Sequence, residues 1–141
     1  MSNVWRNDVG DSQASSGVIS VIVAAFNEGH IIRQSLTELT HVLDALLPDY
    51  EIIVVNDGST DDTLSVAEDI ADQNSRIKVM SYAPNRGKGY ALRRGFEVSK
   101  GDSIAFYDAD LDIPPACIQV LYELLRESGL DGVVGSKMHK E

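Results

Sequence analysis

The sequence has few of the features that mark secreted, membrane-spanning or nucleic-acid-binding proteins. Its single cysteine, Cys117, excludes an intramolecular disulfide and a cysteine-based zinc site. No apolar run approaches the roughly 20 residues that span a bilayer, and residues 1–17 lack the basic and apolar regions of a signal peptide. With 12 Lys and Arg against 22 Asp and Glu, the net charge of −10 argues against a nucleic-acid-binding surface. We therefore expect a cytoplasmic chain, either free or at the cytoplasmic face of a membrane.

The composition is that of one folded domain. The chain has 141 residues, and its 43% hydrophobic content is enough for a core. Residues 1–17 are polar and rich in Ser, Asn and Asp, which predicts a mobile tail. The domain is expected over residues 18–141.

Short β-branched runs alternate with amphipathic helical patterns along the chain. Strands are predicted at residues 18–24, 51–55, 76–82 and 103–107, with a fifth beginning at 132–134. The third is more polar and is expected nearer an edge of the sheet. Helices are predicted at residues 28–47, after a cap at Ser59, around Leu92 and Phe96, and from Pro115 to Gly129. This alternation predicts an α/β fold, a mainly parallel Rossmann-like sheet with helices on both faces.

Polar segments follow the first, second and fourth predicted strands, at residues 27–28, 56–60 and 108–112. In parallel sheets of this kind, ligands bind outside the carboxyl ends of the strands. All three segments are therefore expected to lie together at the carboxyl ends of the strands, where they would form a site.

Three carboxylates stand at alternate positions just after the fourth strand: Asp108, Asp110 and Asp112. Alternate residues of an extended segment share a face, so two or three of them could hold a hard cation. A calcium-binding EF-hand is excluded, because Ile113 stands where its loop needs Gly and Gln119 where it needs Glu. The alternative is an acidic loop that caps the helix after the two following prolines.

Residues 85–89 (NRGKG) form a basic, glycine-containing loop before a helix, a reasonable phosphate contact. The loop is not a Walker A motif, because Tyr82 stands at the first Gly position and no Ser or Thr follows Lys88. The alternative is an exposed basic turn.

Five segments together resemble family 2 of the inverting glycosyltransferases, which have the GT-A fold. The segments are residues 24–28 (AAFNE), 56–63 (NDGSTDDT), 85–89 (NRGKG), 108–112 (DADLD) and 135–137 (GSK). Within that family the chain is most similar to the polyprenyl-phosphate sugar transferases, the dolichyl-phosphate mannose and glucose synthases.

The resemblance implies a role for each segment. It implies a site for the base and ribose of a nucleotide-sugar donor, formed by Ala25, Phe26, Glu28, Val54, Asn56 and Asp57. Arg86 or Lys88 would lie near the diphosphate, and Ala109 is a further donor-binding residue. Asp108 and Asp110, with Asp112 as a third candidate, would coordinate Mg²⁺ or Mn²⁺. Lys137 would contact phosphates and is grouped with Asp108 and Asp110 as a catalytic candidate.

The implied activity is transfer of a sugar, with inversion, from a UDP- or GDP-sugar to an acceptor such as a polyprenyl phosphate. The sequence departs from the family pattern at five positions: Ala24 for Pro, Phe26 for Tyr, Asn56 for Asp, Lys137 for Arg, and Asp112 for the Gln of the lipid-phosphate branch. The chain also stops before the segments that complete the acceptor side, so we expect a truncated donor-binding part. The first alternative is a donor-binding module without catalysis. A second is a sugar nucleotidyltransferase, which the missing basic loop after the first strand disfavours.

Overall fold

The computed structural model describes residues 17–135, which form four strands and four helices in regular alternation. The strands are β1 (Ile19–Ala25), β2 (Tyr50–Asp57), β3 (Ile77–Tyr82) and β4 (Ser103–Asp108). The helices are α1 (Ile32–Leu46), α2 (Thr63–Ala71), α3 (Lys88–Val98) and α4 (Ala116–Ser128).

The four strands form one parallel sheet in the order β3-β2-β1-β4. The predicted α/β fold is confirmed, and β3 is one of the two edge strands, as its polar sequence predicted. The chain moves from β1 through β2 to β3 and then returns across the sheet to β4. The direction of winding therefore reverses between β1 and β4, which is where open α/β sheets bind their ligands.

Helices cover both faces of the sheet, as predicted. On one face Val21, Val23 and Val54 pack against α1, α2 and α4, with residues such as Leu36 and Ile118. The opposite face carries a smaller cluster under α3, formed by Ile22, Ile53, Val55 and Ala91. Alternate residues of β1 and β2 enter the two clusters, because successive side chains of a strand point to opposite faces. Both strands are consequently buried along their length.

Two helix starts differ from the sequence prediction. Helix α1 begins at Ile32 rather than Glu28, because the Glu28 carbonyl accepts hydrogen bonds from Ile31 and Ile32 in a preceding turn. Helix α2 begins at Thr63, and Ser59 does not cap it. The Ser59 hydroxyl instead accepts the backbone N–H of Asn27, so it joins two loops.

The fifth strand predicted from Gly132 is wrong for the residues that the structure describes. Residues 132–135 have no regular secondary structure, and the Val134 side chain is 91% exposed. A strand needs a neighbour to satisfy its backbone groups, and this segment does not join the sheet. The end of α4 does follow its prediction, since Gly129 has the left-handed conformation (φ 61°) that ends a helix.

Two other expectations concern the ends of the chain and the membrane. Of the predicted tail over residues 1–17, the structure describes only Gly17, whose carbonyl accepts a hydrogen bond from the Tyr122 hydroxyl (3.0 Å). Within residues 17–135, no helix has the length and apolar character needed to cross a bilayer.

A buried polar network joins the amino ends of β1 and β2 to the connection before β4. The Glu51 carboxylate, 7% exposed, accepts hydrogen bonds from the Ser20 hydroxyl, the Lys78 ammonium and the Lys100 backbone N–H at 2.6–2.7 Å. Burial alone would raise the pKa of Glu51, but these donors together lower it below its usual value. The charged carboxylate therefore stabilises the fold above that usual pKa, and this stabilisation is lost as pH falls below it.

We expect Glu51→Gln to destabilise the protein at pH 7 by about 1–3 kcal/mol, because an amide cannot accept all three donors. The difference from wild type should shrink as pH falls below 4.5, the ordinary pKa of the group. Urea unfolding at pH 7 and pH 3.5 measures it, with Glu68→Gln on the exposed side of α2 as the control. A difference of the same size at both pH values would contradict the assigned charge.

Helix α3 lies so close to the sheet that one of its residues must be glycine. A Cβ at Gly95 would stand 2.4 Å from Cγ2 of Ile22, whereas a Cβ at Gly89 would meet nothing within 4 Å.

We expect Gly95→Ala to destabilise the protein by about 1–3 kcal/mol through overpacking. Gly89→Ala should stabilise by up to about 1 kcal/mol through helix propensity. Thermal unfolding of the two variants checks this, and a stable Gly95→Ala would show that α3 is not fixed against β1.

Candidate functional site

A cavity of about 470 Å³ opens at the carboxyl ends of β1, β2 and β4. This size is within the range of small-molecule sites, about 300–1,000 Å³. The predicted convergence of the three polar segments is therefore what the structure shows. The cavity is lined by the end of β1, the three segments, and the start of α3 with the loop before it. The lining residues are Ala24, Ala25, Phe26, Glu28, Asp57, Asn85, Gly87, Lys88, Asp108, Ala109 and Asp110.

Asp108 and Asp110 lie on one wall of the cavity, on either side of the buried Ala109. Asp108 is the last residue of β4, and Asp110 lies in the turn that follows. The Tyr107 hydroxyl donates to the Ile113 carbonyl at 2.7 Å and thereby closes this loop. Burial, reinforced by charges including Asp110, raises the pKa of Tyr107 to about 12, so the hydroxyl stays a donor at neutral pH.

The predicted set of three carboxylates is not assembled. In residues 17–135 no group of three or more His, Cys, Asp or Glu side chains is placed to hold a metal ion. The prediction assumed an extended segment, but the chain turns after Asp108 and Leu111 has a left-handed conformation (φ 61°). Asp112 consequently does not line the cavity, and its backbone N–H donates to the Asp110 carboxylate at 3.0 Å. Two carboxylates, those of Asp108 and Asp110, remain as candidate metal ligands in the cavity.

The opposite wall is the loop before α3, whose first helical residue is Lys88. The Lys88 ammonium forms an ion pair with the Asp108 carboxylate across the cavity. Gly87, just before it, has φ 93°, a conformation that L side chains rarely adopt. The predicted phosphate loop thus faces the predicted metal ligands.

Asp57 fixes that loop. Its carboxylate accepts hydrogen bonds from the Asn85 side-chain amide and from the backbone N–H groups of Arg86 and Gly87, at 2.8–2.9 Å. Asp57 is 3% exposed, so these bonds offset the cost of burying its charge. Gly58 allows the close approach, because a Cβ there would lie 2.5 Å from the Asn85 nitrogen. The role of Asn85 was not predicted, although the sequence places it at the start of the basic loop.

A second network ties the loop after β1 to the loop before α2. The Asn27 side-chain oxygen accepts the Thr60 N–H (2.8 Å), and the Thr63 hydroxyl accepts the Glu28 N–H (2.8 Å). The Asp61 carboxylate accepts the Gly29 N–H (3.0 Å), and the Thr63 hydroxyl donates to it. This hydroxyl is the main reason that the pKa of Asp61 is lowered. The network fixes the backbone from Phe26 to α1, which includes the cavity residues Phe26 and Glu28.

Arg86 does not line the cavity. Its guanidinium lies over the Tyr90 ring, 5.0 Å from the centroid, and donates to the Tyr90 hydroxyl at 3.3 Å. Tyr90 in turn makes an edge-to-face contact with Tyr82, with centroids 5.1 Å apart. Burial first, and then the nearby Asp57, raise the pKa of Tyr82, which therefore remains a neutral phenol. Sequence periodicity gave no signal for this aromatic contact.

The remaining predicted site residues lie elsewhere. Val54 is fully buried in the core between β1 and β3, so the structure does not bring it to the cavity. Asn56 is 2% exposed, and its side chain joins Ser81 to the Ser59 N–H. Ala25 and the 45% exposed Phe26 do lie at the cavity. Lys137 is outside the described residues.

Comparison with known proteins relates this chain to glycosyltransferases. The chain is 33% identical over 122 residues to dolichol-phosphate mannosyltransferase of Pyrococcus furiosus, covering 86% of this chain and 34% of the relative. It is 34% identical over 120 residues to undecaprenyl-phosphate 4-deoxy-4-formamido-L-arabinose transferase of Aeromonas hydrophila, covering 84% and 36% respectively. This chain therefore spans little more than a third of the length of these relatives.

A solved structure has a similar fold over most of this chain. Glucosyl-3-phosphoglycerate synthase from Mycobacterium tuberculosis, in complex with Mn²⁺, UDP and glucosyl-3-phosphoglycerate, superposes with a TM-score of 0.62 and 32% identity. The match covers 77% of this chain and 39% of the synthase. The sequence pattern of glycosyl transferase family 2 matches residues 20–141, which is most of the chain. The chain belongs to glycosyl transferase family 2.

Proposed function

We propose that residues 18–141 are the donor-binding part of a metal-dependent glycosyltransferase that uses a UDP- or GDP-sugar. The observation that carries this proposal is the cavity where β1 and β4 meet, with Asp108 and Asp110 on one wall and Lys88 on the other. Membership of a glycosyltransferase family and the Mn²⁺ and UDP bound by the mycobacterial synthase support it.

The residues present fit a divalent cation with the donor's diphosphate. Asp108 and Asp110 offer the carboxylate oxygens that Mg²⁺ and Mn²⁺ prefer, and two carboxylates with substrate phosphates are a common set of ligands. When bound, the cation supplies Lewis-acid stabilisation of the charge that develops on the departing nucleoside diphosphate. Lys88 would add a second positive charge on the other side of that group.

The nucleoside half of the donor would lie toward Phe26, Glu28 and Asp57. Phe26 offers an exposed ring for stacking on a base or ribose, and Glu28 offers an acceptor for ribose hydroxyls. A carboxylate has about four acceptor positions, and Asp57 uses three for the 85–87 loop. Holding the loop would therefore be the main role of Asp57, and one acceptor position would remain for a contact with the base.

For the acceptor, we infer a phosphate-bearing molecule and, by resemblance to the dolichol- and undecaprenyl-phosphate enzymes, a polyprenyl phosphate. Such an acceptor is already anionic, so a strong general base is not needed for its attack on the sugar. Attack from the side opposite the diphosphate would invert the anomeric centre. Lys137 would contact a phosphate of donor or acceptor, and the enzyme would work at the cytoplasmic face of a membrane.

The alternative is a module that binds donor without transferring sugar, and turnover separates the two. The chain is incubated with a radiolabelled UDP- or GDP-sugar, Mn²⁺ and a short polyprenyl phosphate, and the lipid phase is counted. Labelled lipid with inverted anomeric configuration supports the transferase. Donor binding without any labelled lipid, both by this chain and by a longer chain that includes the acceptor side, supports the module.

We expect Asp110→Asn to weaken Mn²⁺-dependent binding of UDP or GDP by at least about tenfold, because loss of one charged ligand lowers metal affinity. Asp112→Asn is the matched control from the same loop and should bind almost as wild type does, since Asp112 does not line the cavity. Titration calorimetry with Mn²⁺, and again with EDTA, measures both. Nucleotide binding that EDTA leaves unchanged would overturn the role of the metal.

Asp57→Asn should lower both stability and nucleotide affinity. The amide offers an N–H₂ group to the donors of the 85–87 loop, so we expect a loss of about 1–3 kcal/mol in unfolding free energy. Urea unfolding and calorimetry with UDP or GDP measure the two effects, with the exposed Asp131→Asn as control. Unchanged stability with weaker nucleotide binding would show that Asp57 contacts the base and does not hold the loop.

A further inference from the structure

We propose that Lys88 is an exchangeable counter-ion of Asp108, which releases that carboxylate to the divalent cation and then pairs with the donor's diphosphate. This inference rests on the proposed function, and it assigns Lys88 two successive partners in the same cavity.

The first support is the ion pair itself. Lys88 and Asp108 extend from opposite walls, one from the start of α3 and the other from the end of β4. Their charged groups are in direct contact. A cation at Asp108 must therefore compete with the ammonium group for the same carboxylate.

The second support is that the pair can separate at small cost. The Lys88 and Asp108 side chains are 59% and 44% exposed, so both ends can be hydrated when the contact breaks. Ion pairs with this exposure are weak, because water and salt screen them. A lysine ammonium is also a compact charge on a flexible stem and has no fixed donor geometry to lose.

The third support is that only the Lys88 side chain has to move. The two residues before it, Arg86 and Gly87, donate their backbone N–H groups to the buried Asp57 carboxylate at 2.8 and 2.9 Å. The start of α3 is therefore held in place, and the ammonium swings about a fixed Cα. The diphosphate of a bound donor would lie between the two walls, within reach of that swing.

The exchange predicts that removing the Lys88 charge raises the affinity for Mn²⁺ and lowers the affinity for nucleotide. In Lys88→Met, the affinity for Mn²⁺ without nucleotide should rise by up to about fivefold, the strength of one exposed ion pair. The affinity for UDP or GDP at saturating Mn²⁺ should fall by about ten- to a hundredfold, the value of a charge-assisted hydrogen bond. Electron paramagnetic resonance of free Mn²⁺ measures the first quantity, and titration calorimetry measures the second.

Arg93→Met is the matched control, because it removes one positive charge from the same helix while its partner is Glu97 on the helix surface. It should leave both affinities near wild type. If Lys88→Met leaves Mn²⁺ affinity unchanged or weakens it, or if Arg93→Met raises it equally, the exchange is overturned. Circular dichroism of each variant shows whether the fold is retained. If wild type binds neither Mn²⁺ nor nucleotide, the proposed function itself fails, and that result is distinct from a failure of the exchange alone.

Discussion

The parallel pairing of β1 with β2 on one side and β4 on the other is the constraint on which the site depends. It places Ala25, Asn56 and Asp108 near the same edge, since Ala25 is in register with Asn56 and Ala24 with Asp108. Because crossovers between parallel strands are right-handed, the connection that reverses the winding places α3 on the face opposite α1 and α2. The reversal leaves a crevice between β1 and β4. The cavity follows from this topology before any particular side chain is considered.

Side chains then determine how rigid that crevice is. Most of the polar residues at the strand ends bond to neighbouring loops rather than pointing freely into the cavity. Asp57 holds the loop before α3, and Asp61 with Thr63 holds the loop after β1. The main role of residues 56–63 is therefore to hold the loop after β1 and the loop before α3 in place. This arrangement serves binding, because a loop that is already ordered costs less entropy when the ligand arrives.

The strands, their parallel arrangement and the edge that carries the site could be predicted from the sequence, because apolar runs such as the residues of β1 and β2 signal burial directly. The errors have two causes, a contact between residues far apart in the chain and a local turn in the backbone. Ser59 resembles a helix cap, but the Asn27 N–H, 32 residues away, uses its oxygen. Asp108, Asp110 and Asp112 alternate like strand residues, but the left-handed Leu111 breaks the alternation. Local patterns carry no information about either event.

Charge gives an independent reason for the cation. Of the residues lining the cavity, Glu28, Asp57, Asp108 and Asp110 bear carboxylates and Lys88 alone bears a positive group. The donors of the 85–87 loop offset the charge of Asp57, and Lys88 offsets that of Asp108. A nucleoside diphosphate brings further negative charge, so its approach to this wall is unfavourable unless a cation comes with it. A cavity built to bind an anion with protein groups alone would carry an excess of Lys and Arg. An acidic cavity with one exposed lysine is instead suited to an anion that arrives as its metal complex.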